Sequence, residues 1–267
     1  MDVWHLTFRL RVHQPRTRAR IRAAARALGR EGSLLAFHVS DTHLHVLAAG
    51  SREEVGRLAR RLELRLLSVL GGITPPTYTR IEDAPHLEHA FEYILRNDER
   101  HGVLPDPWRE NSNLPDLLGL RLLASATVPR VREHLERVNG PWLRNLAGFP
   151  TLDGPLPAPD LIGAEVADIP WSLLGRDHPH DRGRDATGVR AALLHVAATA
   201  GVPRARLRDA LAVTDSCVAK ALHRPAPPPM LRAVRRQLDL RAARPRSGTE
   251  EDFGAESSRP PWRRPGG

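Results

Sequence analysis

Residues 3–11 alternate without a break, with Trp4, Leu6, Phe8 and Leu10 on one side and His5, Thr7, Arg9 and Arg11 on the other. That two-residue period belongs to a strand with one buried face, and a helix has no use for it. A strand needs neighbours, because isolated pairs are marginal in water. Two short runs, 34–40 and 42–48, supply them, with Asp41 and Thr42 as the turn between. Helical spacing fills the gaps. Ile21, Ala24, Ala25 and Leu28 can pack from a helix over 16–28, and Val55, Leu58, Leu62, Leu66 and Val69 form one stripe over 52–70. Asp83-Ala84-Pro85 opens a third helix over 86–97. The order βαββα predicts the α+β class, a small antiparallel sheet with helices on one face.

Beyond this first unit, placed at 1–110, the pattern changes. Residues 111–185 read as a connector with short helices, and Pro, Gly and Asp become dense from 140 onward. Residues 186–244 read as an all-helical C-terminal domain, and 245–267 as a polar, disordered tail. The single cysteine, Cys217, excludes an internal disulfide and a multi-cysteine zinc site. No apolar run approaches the roughly 20 residues that span a bilayer, and charges interrupt the N-terminus, so no membrane partner is expected. An intracellular, cytoplasmic location follows.

The net charge of +9 favours a polyanionic partner. Its distribution matters more than its size. Residues 1–50 carry a net +5, residues 51–200 a net −3, and residues 201–246 a net +8, which predicts two separate basic surfaces. Lys220 is the only lysine among 40 basic residues, a skew that base composition explains better than arginine chemistry.

His43-Leu44-His45 puts two imidazoles on one face of a strand, a pair able to hold one divalent cation. A His-x-His also arises by chance among 13 histidines, and His178-Pro179-His180 is a second copy. Tyr93 and Asn97 are spaced i,i+4 on the third helix, apart from the Leu87, Phe91 and Ile94 stripe that can anchor it. A cation held by two imidazoles and an amide oxygen keeps positions open for a phosphate oxygen and water. Tyrosine ionises near pH 10, so as a nucleophile it needs such help. The plain alternative is a half-buried helix tyrosine beside a polar residue. Only Tyr78 competes for the role, and it reads as a loop residue.

The segment Ala36-Phe37-His38-Val39-Ser40-Asp41-Thr42-His43-Leu44-His45-Val46-Leu47 resembles the His-hydrophobe-His strand of single-tyrosine HUH transposases. Tyr93-Ile94-Leu95-Arg96-Asn97, followed by Arg100-His101-Gly102-Val103, resembles the tyrosine helix of the REP-associated tyrosine transposases. The likeness covers about residues 1–105. It implies an HUH, ferredoxin-like fold with Tyr93 as nucleophile and His43, His45 and Asn97 as ligands of Mg²⁺ or Mn²⁺. The implied substrate is DNA, single-stranded or a hairpin repeat, cut to a 5′-phosphotyrosine by a bacterial, nucleoid-associated monomer or homodimer. Three departures stand out. Asp98 replaces the usual proline, Ser40-Asp41-Thr42 replaces a Met-Pro-Asn run, and Phe8 and Leu10 replace polar residues after His5.

Residues 202–211 and 215–223, joined by a turn at 212–214, have the spacing of a helix-turn-helix with Asp215 as N-cap. Ser216, Lys220, His223 and Arg224 would face a groove, and Arg204, Arg206 and Arg208 would meet phosphates. The same spacing fits a helical packing module with a solvated basic face. Proteins of single-stranded DNA usually offer stacking aromatics; Trp108 and Trp142 are more available than Trp4, and nothing in the sequence marks them as platforms.

Two other functions fit. One is a DNA-binding regulator that keeps the fold without cleaving. The other is a two-histidine phosphoesterase, because His5-Leu6-Thr7 and His38-Val39-Ser40 both match His-x-Thr/Ser and such enzymes place these motifs on neighbouring strands.

Overall fold

The computed structural model describes residues 2–12, 17–102, 108–124, 127–149, 152–176 and 183–243. The second His-x-His at 178–180 and the tail at 245–267 lie outside them. The N-terminal part runs β1 (Val3–Arg9), α1 (Arg18–Leu28), β2 (Leu34–Val39), β3 (His43–Ala49), α2 (Arg52–Leu70), β4 (Thr77–Ile81), α3 (Ala84–Leu95) and α4 (Asn97–Arg100). All pairings are antiparallel, in the order β2-β3-β1-β4. The sheet and its class are those expected, with one extra strand. β4 pairs with β1 along its whole length, so Tyr78 is a strand residue and not a loop residue.

Helices cover both faces of the sheet, which corrects the expectation of one. The cause is legible in β2. Its six residues are all buried, and a run buried on both sides needs cover on both sides. On one face α1 and α2 bring Ala24, Ala25, Leu28, Leu58, Leu62 and Leu66 onto Leu6, Phe8, Leu44 and Val46. A capping box between Ser51 and Glu54 starts α2, and Gly71 in the left-handed region (φ 67°) ends it. On the other face α3 lays Leu87, Phe91 and Ile94 against Leu35, Ala36 and Leu47. Asp83 caps this helix, accepting a hydrogen bond from the His86 backbone at 2.8 Å, with Pro85 in the first turn. The helix stops at Arg96 (φ −107°, ψ 19°), so Asn97 begins a separate short helix.

The stretch expected to be a connector is built into the cores. Helices α5 (Leu114–Leu117), α6 (Thr127–His134) and α7 (Gly140–Ala147) join the core beneath α3 through Leu114, Val131 and Leu143. Helices α8 (Pro159–Glu165) and α9 (Ile169–Leu174) join a second core with α10 (Arg184–Thr199), α11 (Arg204–Leu211), α12 (Asp215–Leu222) and α13 (Pro228–Ala243). The parts touch: Gln237 Nε2 on α13 donates to the Leu120 carbonyl at 2.7 Å.

In the α11–α12 turn, Ala212 adopts the left-handed conformation (φ 50°). Thr214, and not Asp215, is the N-cap of α12: its hydroxyl accepts from the Cys217 backbone at 3.3 Å. Threonine is already extended there (φ −82°, ψ 158°), which leaves Asp215 inside the first turn. Among the described residues, no helix is long and apolar enough to cross a membrane.

Candidate active site

Antiparallel register builds the site. Thr7 lies opposite His45, and His45 lies opposite His38, so these three side chains form one row across β1, β3 and β2. His43 is two residues from His45 on the same strand, hence on the same face, and His5 is two from Thr7. This is the face that α3 covers. The end of α3 and the start of α4 bring Tyr93 and Asn97 over the row.

The contacts sort the imidazole nitrogens. His45 turns Nδ1 to His5 Nε2 at 2.9 Å and to the Thr7 hydroxyl at 3.2 Å. His43 turns Nδ1 to the Thr42 hydroxyl at 2.8 Å, and its Nε2 lies 3.3 Å from Asn97 Nδ2. The two rings have centroids 4.7 Å apart. His45 is 5% exposed and Asn97 1%, yet His45 Nε2 and Asn97 Oδ1 are buried with no hydrogen-bond partner among the described residues. A buried acceptor left unpaired costs about 1–3 kcal/mol. An imidazole nitrogen and an amide oxygen are both cation donors, although the Asn97 atom that meets His43 is its nitrogen. Among the described residues, no three His, Cys, Asp or Glu side chains are grouped to hold a metal, so a cation here would need the amide oxygen of Asn97.

The histidines are kept neutral, the form in which imidazole has a lone pair to donate. Burial, reinforced by His43 and His5, pushes His45 down to about 2. Burial and then His86 lower His5 to about 4, and burial with His101 lowers His43. Tyr93 is half-buried, its ring centroid 5.4 Å from that of His45 and 6.1 Å from that of His5. The Arg100 guanidinium sits 5.2 Å from the same ring.

Tyr93, His43, His45 and Asn97 are thus brought together. Around them stand residues that spacing alone did not single out as part of a cation site: His5, His38, Asp98, Arg100, His101 and Asn111. His38 had a signal, since a short hairpin puts it across from His45. Asn111 had none, lying far along the chain. The phosphoesterase geometry is absent, because β3 separates the strands that carry His5 and His38.

On the helical module, Ser216, Lys220, His223, Arg224 and Arg204 are exposed. Arg206 pairs with Asp160 at 2.6 Å, and Arg208 with Asp209 at 2.8 Å and Asp215 at 3.5 Å. Two of the three arginines expected at phosphates are therefore held by carboxylates of the chain itself. Trp108 is 1% exposed, a core residue and not a stacking platform, and Trp142 packs on Phe91 with centroids 6.2 Å apart. No family model matches the chain, and no curated protein and no solved structure matches it.

Proposed function

We propose that the protein is a divalent-metal-dependent single-strand DNA endonuclease or strand transferase of the transposase type, working through a tyrosine. The observation that carries this reading is the gathering of His43, His45, Asn97 and the Tyr93 ring over one face of the sheet, with His45 Nε2 and Asn97 Oδ1 buried and without a hydrogen-bond partner among the described residues. His43, His45 and Asn97 would hold Mg²⁺ or Mn²⁺, which when bound polarises a phosphodiester and offsets charge developing on it. Tyr93 Oη attacks the phosphorus, an Oη–P bond forms, and the P–O3′ bond breaks. The phenol loses its proton and the departing 3′ oxygen gains one, which leaves a 5′-phosphotyrosine and a 3′-hydroxyl. Arg100, above the Tyr93 ring, is placed to favour the phenolate and to meet the phosphate.

The test incubates the protein with end-labelled single-stranded oligonucleotides drawn from repeats near its gene, in Mn²⁺ or with EDTA. A denaturant-resistant protein–DNA adduct forms with Mn²⁺ and is lost on chelation. Tight binding of equal strength in both conditions, with no adduct, would move the reading to a non-cleaving DNA-binding regulator.

The α11–α12 pair would contribute the DNA-recognition surface, with Ser216, Lys220, His223 and Arg224 on its exposed side. Lys220→Glu combined with Arg224→Glu lowers DNA affinity and flattens its dependence on salt, by a slope of about 1 for each phosphate that is no longer neutralised. A fluorescence-anisotropy titration at several salt concentrations reads both quantities. An unchanged slope would remove α12 from the DNA interface.

A further inference from the structure

The His45 ring is gripped at one nitrogen only. Its Nδ1 meets two partners on β1, His5 Nε2 at 2.9 Å and the Thr7 hydroxyl at 3.2 Å. Its Nε2 is buried and has no hydrogen-bond partner among the described residues. Strand register explains the two contacts. Thr7 lies directly across from His45 in the β1–β3 pairing, and His5 is two residues along β1, hence on the same face.

A neutral imidazole carries one N–H and one lone pair, so the nitrogen that holds the proton decides what the other can do. Two proton arrangements fit the contacts. In one, both β1 partners donate to a bare Nδ1, and the ring proton sits on Nε2. That strands a buried N–H without an acceptor, and orphaned buried N–H groups are rarer in proteins than under-satisfied acceptors. In the other, Nδ1 carries the proton and shares it between His5 Nε2 and the Thr7 oxygen. Nε2 then keeps a buried lone pair, the group that a cation takes. The same arrangement fixes His5, whose Nε2 is bare and whose proton is on Nδ1.

We propose that His5 and Thr7 are positioning residues which hold His45 as its Nδ1–H tautomer and so keep the Nε2 lone pair free for a cation. The use of that lone pair by a cation rests on the function proposed above, whereas the tautomer rests on the strand contacts alone. Orienting partners of this kind are worth about 10- to 100-fold in metal affinity.

Two measurements test it. In metal-free protein, long-range ¹H–¹⁵N correlation of the histidine rings reads each tautomer, expected as Nδ1–H for both His45 and His5 in the wild type. Either ring protonated on Nε2 overturns the proposal, and this arm needs no variant to fold. His5→Leu combined with Thr7→Val removes both acceptors and shifts the His45 proton toward Nε2. A His45 proton that stays on Nδ1 in that variant would also overturn it. Mn²⁺ titration followed by electron paramagnetic resonance gives affinity without DNA. The double variant weakens binding about 10- to 100-fold. His5→Gln, whose amide oxygen can accept where the ring nitrogen did, keeps both the Nδ1–H form and the affinity. Equal losses in His5→Gln and the double variant would reduce His5 to a packing residue. A wild type that binds no Mn²⁺ would sink the cation site itself, while the ring correlation would still decide the tautomer.

Discussion

Tyr93→Phe abolishes the covalent adduct, by at least about 10³-fold, while the oligonucleotide is still bound within about twofold. The phenylalanine keeps the ring that packs beside His45 and His5 and beneath Arg100, so the helix, the histidines and the DNA surface stay as they are. Only the nucleophilic oxygen goes. No other tyrosine can replace it. Tyr78 projects from the opposite face of the sheet, where the Arg52 guanidinium lies 3.5 Å from its ring centroid. The readout is adduct on a denaturing gel beside affinity by anisotropy. An adduct that survives in Tyr93→Phe would assign the bond to a different residue and end the tyrosine mechanism.

Local periodicity explains what was legible. Period two alone placed His43 and His45 on one face, and the alternation of residues 3–11 found β1, because both are properties of a few consecutive residues. The Asp83 cap and Pro85 marked the start of α3 for the same reason. What the chain does at a distance was hidden. The i,i+4 spacing of Tyr93 and Asn97 gave the right neighbourhood by a wrong route, since Arg96 interrupts the helix between them. β4 is a five-residue edge strand with three exposed residues, too short for a period to declare itself, although Thr77, Tyr78, Thr79 and Ile81 all favour strands. The cover on the second face was written into the near-continuous apolar run of β2, an argument about burial and not about helices. Asp98 became a partner of His38 and Asn111 only through folding, so its departure from the proline of the resembling family had no sequence-level account.

The largest effect on stability is expected where the two parts of the chain meet. Arg241 on α13 is 1% exposed. Its guanidinium lies 2.8 Å from Asp168 and 2.5 Å from Glu165, and 5.0 Å from the centroid of the Trp108 ring. Asp168 also pairs with Arg22 of α1 at 2.8 Å, and Arg22 pairs with the buried Glu110 at 2.8 Å. This chain of charges ties α1 beneath the sheet to α9 and α13 of the helical module. Removing Arg241 leaves Asp168 with Arg22 and Arg18 and the part-exposed Glu165 without its cation, so the loss stays below that of a fully buried pair and comes to about 1–3 kcal/mol. Arg241→Ala should therefore lower unfolding stability by about that amount at pH 7 in urea, and loosen α13 first. The acid limb supplies a second check. Burial alone would raise Asp168, but Arg241, Arg22 and Arg18 outweigh it and hold the carboxyl down at about 2 against its ordinary 3.8. A depressed carboxyl contributes stability above its unfolded value and loses it as pH falls toward the folded one. The gap between wild type and Arg241→Ala is thus full above about pH 4 and narrows below it. A gap that stays constant down to pH 3 would mean that Arg241 acts through packing on Trp108 and not through charge, and the ionic tie between the two parts would have to be given up.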